Sequence, residues 1–262
     1  MAALRARNVD VLAVLGGDGT LHHVVDTLLR HYPASSTPIV LALGGGTMNG
    51  VARALGSRGR PADMLRQALA GLATGKSLLH VQPVLRISDT RDGHTRHGFS
   101  FATGLVYRAL EHYYRSHGPR LAAAVSASLL PLKAATRGAS DGERVDVRAD
   151  GGDWLAQPHT LVASVLEKPL LWFRPFGATV ADHETFNLGA TSMRPVAIAA
   201  RLWSIFRGRC QHPQLRVGRA GDASIEGAGI GYLIDGDLYP CDAGIHVQIT
   251  VGPPLQFLAT SA

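Results

Sequence analysis

Two glycine-rich segments contain the residues of this 262-residue sequence that are best suited to chemistry. Residues 16–20 read Gly-Gly-Asp-Gly-Thr, and residues 44–46 are three glycines followed by Thr47. Glycines let a backbone turn tightly and approach a ligand closely, and the start of a following helix offers free N–H groups to an anion. The two segments therefore predict a phosphate-binding site.

Asp18 adds a carboxylate to this predicted site. A carboxylate among phosphate-binding amides would repel phosphate unless a cation lay between them, so we expect Mg²⁺ with a nucleotide. The alternative is a tight strand-to-helix turn in which Asp18 only caps the helix. Neither segment contains the Gly-Lys-Ser/Thr of a P-loop or the G-x-G-x-x-G of a dinucleotide-binding fold, which excludes both of those sites.

Each glycine segment follows an apolar run and precedes a helical pattern. Residues 9–15 and 38–43 are the two runs, and they are typical of strands buried on both faces of a parallel sheet. A third helix is predicted over residues 62–72, with Leu65, Ala68, Leu69 and Leu72 on one face and Gly75 at its end. This repeated order of strand, glycine loop and helix predicts an α/β domain over residues 1–80.

Beyond residue 80, apolar residues alternate with polar ones, as in half-buried antiparallel strands. The alternation covers residues 145–149 and 245–251, and Asp235-Gly236 predicts a hairpin turn. Helices are predicted over residues 105–114 and 119–136. We therefore assign residues 81–262 to a second, β-rich domain.

The chain is basic, since 26 Lys and Arg against 20 Asp and Glu give a formal charge of +6. Such a charge suits nucleic acid, an anionic membrane surface or a phosphorylated ligand. No basic helix-turn-helix pattern occurs, so a nucleic-acid partner is not expected. Residues 193–209 mix apolar side chains with arginines, a pattern typical of a helix resting on an anionic bilayer or of an ordinary packed helix.

Location is predicted from three further features. The two cysteines are far apart, which favours a reducing compartment. We see no secretory signal at the N-terminus and no apolar run long enough to span a bilayer. These features predict a cytoplasmic protein with peripheral contact to the membrane.

Together, residues 16–20 and residues 45–53, Gly-Gly-Thr-Met-Asn-Gly-Val-Ala-Arg, resemble the diacylglycerol kinase catalytic-domain family. Sphingosine kinases and bacterial lipid kinases belong to this family, whereas the first motif alone is shared with NAD kinases. The resemblance continues through residues 99–104 and through Asp235-Gly236-Asp237, where the family usually has Asp-Gly-Glu. It implies an α/β nucleotide domain with a parallel sheet, a β-sandwich-like second domain, and a cleft in which ATP and a lipid meet.

The resemblance also implies roles for individual residues. Asp235 is expected to be the general base toward a lipid hydroxyl, with Asp237 assisting it or the metal, although a plain hairpin turn would also explain both. Mg²⁺ is expected at Asp18 and Asp182. The residues expected to hold ATP are Gly16, Gly17, Asp18, Gly19, Thr20, Gly45, Gly46, Thr47 and Asn49.

The predicted function is an ATP- and Mg²⁺-dependent lipid kinase acting on diacylglycerol or a related long-chain lipid alcohol at the membrane surface. His23 stands where the family has Glu, and the family's opening βα units, with their Asn-Pro-x-Ser-Gly loop, are expected to be missing before Val9. The alternatives are therefore a non-catalytic nucleotide- or lipid-binding member and an NAD kinase-like enzyme. We expect His22 and His23 on the helix surface, and no transition-metal site is indicated.

Overall fold

The computed structural model describes residues 2–46, 49–117, 144–167, 174–179, 181–228, 231–241 and 243–259. Thr47 and the helix predicted over residues 119–136 lie outside the described residues. The elements of the first part of the chain are α1 (Ala2–Ala6), β1 (Val11–Gly16), α2 (Asp18–His31), β2 (Ile39–Gly44), α3 (Gly50–Ala54), α4 (Pro61–Thr74) and β3 (Leu78–Asp89).

The rest of the described chain is mostly antiparallel strands. Its elements are β4 (Thr95–Gly98), β5 (Ser100–Gly104), α5 (Leu105–His117), β6 (Val145–Ala149), β7 (Gly152–Leu155), β8 (Thr160–Ser164), β9 (Phe186–Thr191), α6 (Pro195–Phe206), β10 (Leu215–Ala220), β11 (Asp222–Gly227), β12 (Gly231–Ile234), β13 (Asp237–Pro240) and β14 (Ile245–Ala259). The strands predicted from alternation and the Asp235-Gly236 hairpin are confirmed.

The parallel pair β1 and β2 positions the two glycine segments. The strands pair in register up to Gly16 opposite Gly44, so both glycine loops begin at the carboxyl ends of these two parallel strands, side by side. In β2 the apolar run is buried from Val40 to Leu43, as predicted. The prediction of burial on both faces is wrong for β1, because it is an edge strand in which Leu15 is 64% exposed.

The strands form two sheets. The first has the order β1-β2-β14-β11-β6-β7, with β3 paired to β14 and β4 paired to β3. The second is antiparallel throughout, with the order β10-β9-β8-β5-β12-β13. The predicted fold class, a parallel α/β part plus an antiparallel β-rich part, is therefore confirmed.

Strand β14 connects the two predicted domains. It pairs antiparallel with β3 and β11, and Phe257 at its far end pairs in parallel with Val40 of β2. The boundary at residue 80 stays a prediction, because β14 belongs to the sequence beyond that boundary but lies in the same sheet as β1 and β2.

Helix α2 is fixed to the sheet by apolar and polar contacts on one side. Leu21, Val25 and Leu28 are buried, as the helical spacing predicts. Asp26 is also buried and accepts hydrogen bonds from the backbone N–H of His97 at 3.0 Å and from Arg30 at 2.6 Å. Since His97 lies in β4, this contact sets the position of α2 relative to β4.

Two amphipathic helices expose part of their apolar surface. In α4 the buried residues are Met64 and Ala68, whereas Leu65, Leu69 and Leu72 on the predicted apolar face are exposed. In α6, Ile198 is buried and Trp203 is 67% exposed beside Arg207. No helix in the part of the chain that the structure describes has the length and apolarity required of a membrane span.

Candidate functional site

The two glycine loops contact each other through their backbones. The N–H of Gly45 donates to the carbonyl of Gly16 at 2.8 Å. A Cβ built on Gly46 would lie 2.5 Å from the Cα of Gly17, so the close approach requires a glycine at position 46. Helix α2 begins at Asp18, and its first N–H groups, which have no partner within the helix, therefore lie at this contact.

Asp18 joins the loops rather than capping its own helix. Its Oδ2 accepts a hydrogen bond from the N–H of Gly50 at 2.8 Å, and its Oδ1 accepts one from Val51 at 3.0 Å. Burial raises the pKa of Asp18, and these two N–H groups oppose that shift. The Asp18 carboxylate thus caps the start of α3. Its expected contact with Mg²⁺ stays a prediction.

Asn49 holds the second glycine loop in shape. Its Oδ1 accepts a hydrogen bond from the N–H of Gly46 at 2.8 Å, and its Nδ2 donates to the carbonyl of Gly46 at 2.7 Å. The left-handed backbone at Asn49, with φ of 48°, suits asparagine better than most residues. Because its amide is already paired with the loop, the expected contact between Asn49 and ATP stays a prediction.

The backbone contact between the two loops predicts that a methyl group added at Gly46 destabilises the protein more than one added at Gly17. Gly46→Ala should lower the free energy of unfolding by about 1–3 kcal/mol, because its Cβ would overlap the backbone of Gly17. Gly17→Ala should change it by less than about 0.5 kcal/mol, because its Cβ meets nothing closer than 3.4 Å and its φ of −87° suits alanine. Urea unfolding measures both values; equal losses would contradict the backbone contact.

Asp235 lies in the turn between β12 and β13, and its side chain has 0% exposure. Its two carboxylate oxygens accept hydrogen bonds from the N–H groups of Phe99 and Ser100, each at 2.9 Å. Burial raises the pKa of Asp235 well above its usual value, and the nearby carboxylates of Asp18 and Asp237 act in the same direction. A carboxylate so enclosed holds the hairpin against β5, and this argues against its expected role as the general base.

Asp237, two residues further along, lies against the first glycine loop. A Cβ built on Gly19 would be 2.7 Å from Asp237 Oδ1, so the carboxylate contacts the opening turn of α2. Its side chain is 35% exposed, and His23 Nε2 lies 3.0 Å from its Oδ2. The β12–β13 hairpin thus brings a partly solvent-exposed carboxylate to the predicted phosphate site.

Asp182 belongs to a different cluster from Asp18 and Asp237. Its Oδ1 accepts hydrogen bonds from the hydroxyl and the N–H of Thr185, and its Oδ2 pairs with Arg219 at 2.8 Å. These hydrogen bonds lower the pKa of Asp182. Both oxygens therefore already have protein partners, and the expected metal contact stays a prediction.

A cleft extends beside Asp182. It has a volume of about 410 Å³ and is bordered by Arg53 of α3, His80 and Gln82 of β3, and Asp182. Arg53 lies in α3, whose Gly50 and Val51 N–H groups bind Asp18, so the cleft borders the helix that contacts the glycine loops. The cleft combines cationic, acidic and polar side chains next to the predicted phosphate site.

The first 81 residues match the family model of the diacylglycerol kinase catalytic domain. This segment belongs to that family. The resemblance inferred from the two glycine motifs is therefore confirmed over residues 1–81. A search of curated proteins gives no match.

Solved structures of kinases share the fold of the whole described chain. A diacylglycerol kinase from Bacillus anthracis str. Sterne is 17% identical, with a TM-score of 0.60 over 95% of this chain and 76% of that one. A second structure from that organism is 18% identical, with a TM-score of 0.65 over 98% and 81% of the two chains. Yeast NADH kinase, complexed with NADH, is 14% identical, with a TM-score of 0.54 over 96% and 62%.

Sequence reasoning missed His22 as a site residue of this family segment. The expectation of a surface position is wrong for His22, whose side chain is 1% exposed, and right for His23, at 65%. His22 Nε2 lies 2.9 Å from the hydroxyl of Tyr239, a residue of β13. His22 follows Leu21 and lies three residues before Val25, at the border of the buried stripe of α2, and this spacing is the signal that could have indicated burial.

Proposed function

We propose that this chain is an ATP- and Mg²⁺-dependent lipid kinase that phosphorylates the hydroxyl of diacylglycerol or a related long-chain lipid alcohol. The observation that supports this most is the meeting of three parts at one place: two glycine loops in backbone contact, the start of α2, and the carboxylate of Asp237. Phosphoryl transfer requires positioned phosphates, neutralised charge and an acceptor for the hydroxyl proton.

The loops suit the phosphates of ATP. Neither Gly17 nor Gly46 has a side chain, so a phosphate can approach the backbone of the loops and the N–H groups that open α2. The carboxylate oxygens of Asp18 suit Mg²⁺, which when bound would neutralise charge on the transferred phosphate. The neighbouring cleft, with Arg53 at its border, would admit the remainder of a phosphate-bearing ligand.

We assign the general base to Asp237 and a positioning role to Asp235. Asp237 is half-exposed and lies at the start of α2, where it can accept the proton of an incoming lipid hydroxyl. Asp235 keeps its carboxylate on the backbone of Phe99 and Ser100, and so fixes the turn that presents Asp237.

The proposal is tested by following labelled phosphate from ATP. The acceptors are diacylglycerol, a long-chain amino alcohol and a monoacylglycerol in mixed micelles, each with and without Mg²⁺. We expect Mg²⁺-dependent transfer to at least one lipid. If ATP binds by calorimetry but no acceptor is phosphorylated, the non-catalytic alternative replaces the kinase.

An NAD kinase-like activity is the second candidate, because the fold is also shared with yeast NADH kinase. The same assay includes NAD and NADH as soluble acceptors without lipid. Transfer to these acceptors that exceeds transfer to every lipid would favour the second candidate.

A further inference from the structure

Three side chains converge where the opening turn of α2 meets the β12–β13 hairpin. They are His22, His23 and Asp237, and one ligand atom from each lies within 4.8 Å of the other two. His23 Nε2 and Asp237 Oδ2 are 3.0 Å apart. We propose that these three side chains form a binding site for a divalent transition-metal ion of the zinc class.

His22 is already arranged as a metal ligand. Its ring is buried and its Nδ1 has no hydrogen-bond partner among the described residues, while its Nε2 is within hydrogen-bond distance of the Tyr239 hydroxyl. When Nε2–H donates to Tyr239, Nδ1 keeps an unshared lone pair and lies 3.8 Å from Oδ2 of Asp235. Metal-ligating histidines are commonly oriented in this way by a partner on the other ring nitrogen.

Asp237 provides a second buried atom without a hydrogen bond. Its Oδ2 accepts none among the described residues, although His23 Nε2 is close enough for an ion pair. A buried polar atom without a partner is costly, and one cation placed between Nδ1 of His22 and Oδ2 of Asp237 would satisfy both. The proposal thus accounts for an unpaired buried atom on two of the three side chains.

The donor set selects the class of metal. Two imidazoles and one carboxylate suit zinc, with a fourth position left for water, whereas Mg²⁺ prefers oxygen ligands alone. Zinc–ligand bonds of about 2.0–2.1 Å bring ligand atoms to about 3.3 Å from one another, so the cluster must contract. His23 and Asp237 are already 3.0 Å apart, so the contraction must bring these two side chains and His22 closer together.

A metal at this site would regulate the proposed kinase. This consequence rests on the proposed function, because it requires Asp237 to be the general base. A carboxylate bound to zinc cannot accept the proton of a lipid hydroxyl, so occupancy would inhibit phosphoryl transfer. The site would then make the enzyme sensitive to free zinc while leaving the glycine loops unchanged.

The test measures metal binding directly on the tag-free full chain. Zinc is titrated by calorimetry, and Co²⁺ is added as a spectroscopic probe whose visible bands report nitrogen and oxygen ligands in a tetrahedral site. We expect one site, with affinity lowered by more than about tenfold in His23→Gln and about 10–100-fold in Tyr239→Phe, which removes the partner of His22. The matched control is His94→Gln, an exposed histidine in the β3–β4 loop, which should bind as the wild type does.

Two results would overturn the site: no zinc or cobalt binding by the wild-type chain, or equal affinity in wild type and His23→Gln. Circular dichroism of each variant establishes that it is folded. The inhibition is read separately, as the ratio of lipid phosphorylation rates with and without zinc, which should be lower in wild type than in His23→Gln. If no acceptor is phosphorylated, the proposed function fails while the binding titration still decides the metal site.

Discussion

Asp237→Asn is expected to slow phosphate transfer from ATP to lipid by about 10²–10⁴-fold while ATP binding persists. Asparagine preserves the shape of the side chain next to Gly19 but cannot accept the hydroxyl proton. The rate is measured with labelled ATP and the best lipid acceptor, and ATP affinity is measured by calorimetry.

Asp63→Asn is the matched control, since Asp63 is an exposed carboxylate that pairs with Arg66 on α4. It should retain the wild-type rate. An Asp237→Asn variant with wild-type rate would show that the base lies elsewhere, whereas equal losses in both variants would remove the link between this carboxylate and the chemistry.

Asp235→Ala is expected to produce the largest loss of stability. It would leave the N–H groups of Phe99 and Ser100 without their acceptor, at a cost of about 1–3 kcal/mol each. Alanine is also disfavoured at the φ of 49° found at position 235. Urea unfolding measures the loss, and Asp237→Ala, at the other end of the same turn, should lose much less.

The pH dependence of the free energy of unfolding tests whether the carboxyl group of Asp235 is buried in the folded chain. Burial raises the pKa of Asp235 well above 3.8, so the folded chain keeps a proton that the unfolded chain releases above about pH 3.9. The free energy of unfolding should therefore fall as pH rises from that value through the raised pKa. Asp235→Asn has no such proton, and its stability should vary less over this range; identical slopes would contradict the assignment.

The glycine loops could be predicted from sequence because their geometry is local. An apolar run, a group of glycines and a helical pattern occur twice, and parallel pairing of the two runs brings both loops to one edge. The exposed face of β1 could not be predicted in this way. Whether Leu15 is buried depends on what lies beyond the edge of the sheet, and its own neighbours in sequence contain no information about that.

The roles of the two turn carboxylates required the structure. In sequence, only the family resemblance favours Asp235 over Asp237 as the base, and the position of Phe99 and Ser100, distant along the chain, shows which carboxylate is enclosed. The burial of His22 likewise depends on Tyr239, which approaches from β13. Long-range contacts of this kind determine which polar residues keep a free face.

Strand β14 has a consequence for the assembly of the protein. The parallel pair of β1 and β2 would have an open second edge if β14 did not pair with β2 where Phe257 lies opposite Val40. Almost the whole described chain separates those two positions, so closing that loop is entropically costly and slow. On a ribosome, the pair β1–β2 would therefore emerge early yet remain unfinished, exposed to chaperones and proteases, until β14 has been translated.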